Sequence, residues 1–455
     1  MDAAASIGIV GGGQLAWMLA QAARHDGVEL HVQTPSANDP AAALATSVVQ
    51  ADVRDVAGTA ELARRCSAIS FENEWVDLEG LAPLATSGVA FVPSLDALRP
   101  LVCKRSQREL LQRLNLPSPR WFPLEQVKAE LADRQAAAAR QSHGGEAGGA
   151  AADGAPSTRG PSGSGDAQGG DGSQDPSAHA APIDRHTLPQ GFGYPVMAKA
   201  SSGGYDGRGT AVLRNDDDLD ALLARVDPTG WIVEEFVDFE QELAVVAARD
   251  QQGEVVLFPL VQTHQHGQVC DWVLAPVEAS HGLEQAVRNI AASLLTSLHY
   301  VGVLAIEFFY GRGGLLINEL APRTHNSGHY SIEACNLSQF AQQLRVVAGH
   351  TALEPDLVVP GALMVNLLGF ENRTATNSAA DPVSAPEADY ASQRAALAAL
   401  PNAHLHWYGK AGASIGRKLG HITLLLHQAD PAARREEAMQ RLEQVRQHWP
   451  LPPEP

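Results

Sequence analysis

Cysteine is scarce: only Cys66, Cys103, Cys270 and Cys335 occur in 455 residues. No two are close enough for a CxxC metal knuckle, and nothing in their spacing suggests a disulfide framework, so a reducing compartment is expected. Cationic side chains are also in deficit. Lys and Arg total 33 against 52 Asp and Glu, a formal net charge of -19. A general nucleic-acid binder needs a basic surface to displace counterions, so that class is disfavoured and no nucleic-acid partner is expected. A few placed cations can still make a positive pocket for an anionic substrate. No apolar run is long enough to span a bilayer, and Met1 to Ser6 lacks a basic region leading into an apolar one. A cytoplasmic protein without a membrane partner is expected. The last absence is local. Between Arg134 and Pro182 there is no Val, Ile, Leu, Met, Phe, Trp or Tyr. Such a stretch cannot offset its own ordering entropy, which predicts a disordered insertion.

The rest is rich in core-forming residues, 45% hydrophobic overall, and the length suits two to four domains. Ile7 to Val10 reads as a strand, followed by Gly11-Gly12-Gly13-Gln14 and a helix with Leu15, Met18, Leu19 and Ala22 on one face. Val28 to Gln33 completes a β-α-β unit, and Ala68 to Phe71 is a further buried strand. Gln107 to Leu116 predicts an amphipathic helix stopped by Pro117. Strands are expected at Pro195 to Ala200, Thr210 to Leu213, Trp231 to Val237 and Glu242 to Ala248, and a helix over Leu283 to Leu298. Val303 to Tyr310 and Leu315 to Glu319 predict a hairpin. A helix from Ser331 to Ala348 and a small final unit with strands at His404 to Tyr408 and His421 to Leu426 follow.

Five motifs carry chemistry. Gly11-x-Gly13-x-x-Ala16 fits a dinucleotide fingerprint, but the expected acidic residue about twenty positions on is missing from His31-Val32-Gln33-Thr34. A nicotinamide enzyme is disfavoured, while the helix end could hold a phosphate or another polar group. Lys199 precedes Gly203-Gly204-Tyr205-Asp206-Gly207-Arg208-Gly209-Thr210, a flap whose backbone N–H groups can close over phosphates. It lacks the Gly-Lys-Ser/Thr ending of a Walker loop. Glu307 and Glu319 fall opposite each other if the hairpin loop is the three residues Arg312 to Gly314. Facing carboxylates repel, and a hard divalent cation removes that penalty, with Asn318 as a further oxygen donor. Arg323 to His329 sets many donors beside that hairpin, suited to small oxyanions. Lys410, Arg417 and Lys418 form a cationic cluster which, taken alone, reads as a solvated face.

Together these residues resemble the ATP-grasp superfamily, and within it the 5-(carboxyamino)imidazole ribonucleotide synthases. The resemblance rests on Gly11 to Leu15, Gly203 to Gly209, Ile317 to Arg323, His325 to His329, and His404 to Lys410 with Gly416 to Lys418, in family order. It implies an ATP-grasp fold, α/β and α+β, with an N-terminal open α/β pre-ATP-grasp domain. The expected units are an N-terminal ribonucleotide-binding domain over 1–100, a small ATP-grasp subdomain over 101–233 carrying the insertion 134–182, a large one over 234–378, and a C-terminal unit over 379–455.

The resemblance also implies roles. Lys104 and Lys199 would contact ATP phosphates under the flap Gly204, Tyr205, Asp206, Gly207, Arg208, Gly209 and Thr210. Glu234, Glu235, Phe236 and Val237 would form the adenine hinge, Glu242 would bind ribose, and His264 and Asn318 would lie by the nucleotide. Glu307 and Glu319 would bind Mg2+. Gln14, Leu15, Glu72, Asp206, Arg208, Asn326, Lys410, Arg417 and Lys418 would surround the aminoimidazole ribonucleotide. Arg323 and His325, with Lys199, would serve bicarbonate and carboxyphosphate in catalysis. ATP, bicarbonate and the ribonucleotide are the implied partners, in a homodimer. Two other readings stand beside it, a sister enzyme formylating glycinamide ribonucleotide with formate, and a non-catalytic nucleotide-binding regulator.

Overall fold

The structure, a computed structural model, describes residues 5–129, 186–203, 209–371, 390–410 and 412–453. The insertion 134–182 and the flap residues Gly204, Tyr205, Asp206, Gly207 and Arg208 lie outside the described residues. The chain begins with β1 (Ser6–Val10), α1 (Gln14–Asp26), β2 (Glu29–Thr34), β3 (Ser47–Gln50), α2 (Val56–Ala63) and β4 (Ala68–Phe71). These strands form a parallel sheet in the order β3-β2-β1-β4. Ile7, Ile9 and Val10 are fully buried in β1, as a parallel strand covered on both faces requires.

Helix α3 (Leu78–Thr86) precedes α4 (Lys104–Arg113), which starts three residues before the expected Gln107 and stops before Leu116. The Cys103 thiol accepts from the Ser106 N–H and caps the helix, while Asn115 takes a left-handed conformation just beyond its end. The early start places Lys104, Gln107, Arg108 and Leu111 on one stripe.

A small antiparallel sheet follows, from β5 (Trp121–Pro123), β6 (Val196–Ala200), β7 (Thr210–Leu213) and β8 (Trp231–Glu235), in the order β5-β8-β6-β7. The largest sheet contains β9 (Gln241–Arg249), β10 (Val255–Leu257), β11 (Val261–His266), β12 (Val269–Ala275), β13 (Gly302–Gly311), β14 (Gly314–Ala321), β15 (Gly361–Leu368), β16 (Ala403–Trp407) and β17 (Lys418–Leu426). Among the described residues its order is β14-β13-β9-β11-β12-β15-β17-β16, with β10 paired to β9. The final strands thus extend the same sheet that carries the Glu307/Glu319 hairpin. Helix α5 (His281–Ser297) packs on it through Val287, Ile290, Leu294 and Leu295. A C-terminal helix, Pro431–Arg446, lies against β15 and β17.

Two expectations change here. The helix expected over Ser331 to Ala348 is two pieces, Ser331–Ala334 and Gln339–Val347. Cys335 leaves the first to form a bridge with Leu357, and Ser338 caps the second by accepting from the Ala341 N–H. The hairpin turn is also shorter than expected. Gly311 pairs with Gly314, leaving two loop residues instead of three, and that register alone would set Glu307 against Asn318. A bulge between Glu307 and Phe308 inserts Asn318 and restores Glu319 to its place opposite Glu307.

Candidate active site

The glycine run after β1 is shaped by one carboxylate. Glu72, at the end of β4, accepts from the N–H groups of Gly13 at 2.7 Å, Leu15 at 3.1 Å and Ala16 at 3.3 Å. A Cβ at Gly11 would sit 2.5 Å from the Glu72 Cβ, and one at Gly13 would sit 2.6 Å from its Oε1. The end of α1 is therefore capped from within, and the Gly13, Leu15 and Ala16 donors are not free for a phosphate. Burial pushes the Glu72 carboxyl up, and these backbone bonds work against that rise.

Across the cleft, the small and large sheets meet in a closed polar ring. Lys199 of β6 is buried and lies 2.7 Å from Glu234 Oε2, while Arg108 Nε lies 2.7 Å from Glu234 Oε1. Lys199 also donates to Asn318 Oδ1 at 3.0 Å, and Arg108 Nη2 donates to the Asn318 carbonyl at 2.6 Å. Burial works to raise the Glu234 carboxyl, but Lys199 and Arg108 outweigh it and hold it down to about 2. Burial lowers the Lys199 ammonium, with Glu234 opposing and Arg108 and Lys104 assisting.

The facing carboxylates come next along the hairpin. Glu319 lies 2.8 Å from Lys104 Nζ, and Glu307 lies 3.5 Å from His325 Nε2. Burial and the neighbouring Glu319 and Glu242 push Glu307 up to about 7, whereas Lys104 holds Glu319 low against its own burial. A divalent cation between two such carboxylates would relieve their repulsion. Among the described residues no three His, Cys, Asp or Glu side chains converge as a metal site, so further ligands would come from a bound phosphate. The Asn318 oxygen faces Lys199 and is already engaged there.

Arg323 closes the cleft toward the first sheet, 3.0 Å from Glu74 Oε2. His325 is fixed at both backbone atoms by Gln339, which accepts from its N–H at 2.9 Å and donates to its carbonyl at 2.7 Å. Asn326 and the β15 residue Asn366 exchange amide hydrogen bonds of 2.9 and 2.7 Å. Lys410 reaches Gln14 across the cleft, and also donates to the Lys418 carbonyl at 2.9 Å. Arg417 is exposed near this end, donating to the Gly412 carbonyl at 3.2 Å.

Three segments match known domains. Residues 4–101 match the ribonucleotide synthetase preATP-grasp domain, 180–340 the ATP-grasp domain, and 362–435 the phosphoribosylaminoimidazole carboxylase C-terminal domain. The N5-carboxyaminoimidazole ribonucleotide synthase of Synechococcus elongatus is 43% identical over 98% of this chain and 96% of its own length. The chain belongs to the N5-carboxyaminoimidazole ribonucleotide synthase family. It is an ATP-grasp ligase of purine biosynthesis. The Thermus thermophilus synthetase shares 28% identity and a TM-score of 0.72, covering 98% of this chain and 99% of that one. The Aspergillus clavatus synthase, solved with ADP and 5-aminoimidazole ribonucleotide, shares 26% identity and a TM-score of 0.71 over 98% and 99%.

For this family member, the expected residues fall into linked groups. Lys199, Glu234, Asn318, Lys104, Glu319, Glu307 and His325 form one run of contacts, and Gln14, Lys410 and Lys418 form another. Glu235 is drawn outward, its carboxylate 2.7 Å from Arg120 Nε, and Phe236 is exposed beside it. His264 stacks on Trp272 at 5.1 Å between ring centroids. Burial pushes nearby Glu242 up to about 7 against the opposing pull of His264. Sequence reading missed Arg108, Glu74 and Gln339. Arg108 carries a signal in hindsight, a cation in the buried stripe of α4 four residues after Lys104. Glu74 and Gln339 carry none, since their partners are 249 and 14 residues away in sequence.

Proposed function

We propose that this chain carboxylates the exocyclic amine of 5-aminoimidazole ribonucleotide, consuming bicarbonate and ATP and releasing ADP and phosphate. The observation that supports it most is the run from Lys199 through Asn318 and the Glu319–Glu307 pair to His325. It offers cations, a carboxylate pair and an oxyanion-facing loop in sequence along one cleft. A bicarbonate oxygen attacks the γ-phosphorus, a P–O bond forms, and the bond to ADP breaks, giving carboxyphosphate. Lys104 and Lys199 stabilise the charge that develops on the phosphoryl oxygens, which is electrostatic work by preplaced groups. Glu307 and Glu319 would hold Mg2+, which when bound neutralises phosphate charge. The amine nitrogen then attacks carboxyphosphate, or carbon dioxide released from it. An N–C bond forms as the C–O bond to phosphate, or a C=O π bond of carbon dioxide, breaks, and the phosphate takes the proton that the nitrogen loses.

In this reading Arg323 and His325 hold bicarbonate and carboxyphosphate, and the flap Gly204 to Thr210 excludes water. Gln14, Leu15, Glu72, Asp206, Arg208, Asn326, Lys410, Arg417 and Lys418 surround the ribonucleotide. Because the Glu234 side chain belongs to the polar ring, the hinge Glu234 to Val237 meets adenine through its backbone, with Glu242 and His264 toward ribose. The four units 1–100, 101–233, 234–378 and 379–455, assembled as a homodimer, complete the proposal.

The test is ADP release measured with each ribonucleotide, with and without bicarbonate. Turnover is expected to require 5-aminoimidazole ribonucleotide and to consume bicarbonate. Equal stimulation by glycinamide ribonucleotide with formate would overturn the assignment.

A further inference from the structure

We infer that Arg108 is a positioning residue whose task is to occupy Glu234, so that the charge of Lys199 is left over for an anionic phosphate. The inference rests on the reading of Lys199 as an ATP-phosphate contact. Glu234 has two oxygens, and each has its own cation, Arg108 on Oε1 and Lys199 on Oε2, both at 2.7 Å. All three groups are buried, at 2% exposure for Arg108 and Glu234 and 8% for Lys199. Within the ring itself, two cations against one carboxylate leave one positive charge in excess, with Glu319 and Glu242 the carboxylates that feel Lys199 from outside it. A buried excess charge is costly unless an anion arrives to meet it, so the excess favours a ligand. Without Arg108, Glu234 and Lys199 would neutralise each other and the excess would vanish.

Arg108 is itself aimed by the hairpin. Its Nη1 and Nη2 donate to the carbonyls of Ile317 and Asn318 at 3.2 and 2.6 Å, leaving Nε for Glu234. The neighbouring Gln107 accepts from the Leu320 N–H at 3.1 Å and donates to its carbonyl at 2.9 Å. Helix α4 thereby grips the backbone on both sides of Glu319, and the same helix sets Lys104 on its carboxylate. A guanidinium supplies three directed donors here, which an ammonium cannot match in geometry but can match in charge.

Steady-state kinetics on Arg108→Met, Arg108→Lys and Arg108→Met/Glu234→Gln tests this, with thermal melts to establish folding. Arg108→Met is expected to raise the KM for ATP at least tenfold while changing that for the ribonucleotide less than threefold. Arg108→Lys keeps the charge and should stay within about threefold of the parent for ATP. The double variant removes the carboxylate together with its counter-cation, restores one excess charge, and should recover most of the lost ATP affinity. A folded Arg108→Met with unchanged KM for ATP would overturn the inference. So would equal impairment of Arg108→Lys together with no recovery in the double variant, because Arg108 would then serve only the hairpin backbone. Lys199→Met separates the underlying reading: an unchanged KM for ATP there would refute the Lys199 contact whatever Arg108 does.

Discussion

Glu234 and Glu307 are both glutamates on strands of the candidate site, Glu234 buried and Glu307 partly so, yet they are driven in opposite directions. Glu234 has a cation on each oxygen and is held down to about 2, whereas Glu307 faces Glu319 and rises to about 7. Burial acts the same way on both. The difference lies in what each strand's partner supplies: β8 faces Lys199 and Arg108, while β13 faces a second carboxylate across a bulged hairpin. One carboxylate has both its counter-charges supplied by the fold, and the other has a like charge for its neighbour.

The comparison breaks hardest at Glu234. Glu234→Ala leaves two buried cations without their anion and should cost about 3–5 kcal/mol of stability, read from the denaturant midpoint. A loss below 1 kcal/mol would mean that water screens the ring. Next is Glu319→Gln, which should lower turnover by on the order of 10²–10³-fold, the scale for removing one electrostatic stabiliser. Without metal it should also lower stability, because the Lys104 ammonium loses the carboxylate that it holds 2.8 Å away. Near-parent turnover at limiting Mg2+ would remove the pair from metal binding. Arg417→Ala tests the far end of the cleft. It should raise the KM for the ribonucleotide, not that for ATP, by the equivalent of about 1.5–3 kcal/mol for a hydrogen bond to a charged group.

The smallest effect per step is the pH dependence, at most about 1.4 kcal/mol per pH unit for each proton. For Glu234 the folded carboxyl lies below its ordinary value of 4.5, so its contribution is present above 4.5 and fades as pH falls toward 2. For Glu307 the folded group binds a proton more tightly than the unfolded one, so its contribution is present below 4.5 and fades as pH rises toward 7. Unfolding of Glu307→Gln measured across pH 4.5–7 should show less of the downward slope than the parent. Identical slopes would assign the effect to Glu242, which rises to about 7 from burial.

Much of this was readable along the chain, because local periodicity fixes where strands and helices form. Ala68–Phe71 and Thr210–Leu213 fall at their expected bounds, and α1 begins at Gln14 after its glycine turn. The hairpin shows how a correct pairing can have another cause: Glu307 meets Glu319 through a two-residue turn plus an inserted Asn318. The helix expected through Asn336 failed because Cys335 pairs with Leu357, a contact that outweighs helical propensity and leaves no mark in the pattern. The glycine run was legible as a turn, but its occupant, Glu72, was not. It comes from 59 residues away.

By itself the sequence determined the kinds of side chain available: a glycine-rich segment, two hairpin carboxylates, a donor-rich loop and a cationic cluster in an acidic chain. Each is a local pattern, and local patterns survive in one dimension. Only the tertiary structure decided which charges meet. Arg108 joins Glu234 across 126 residues, Lys199 joins Asn318 across 119, and Lys410 joins Gln14 across 396. Electrostatic pairing acts over a few ångströms in space and is indifferent to distance along the chain. Whether a carboxylate becomes a buried partner or an open ligand site is therefore set only when helix α4 and the sheets pack.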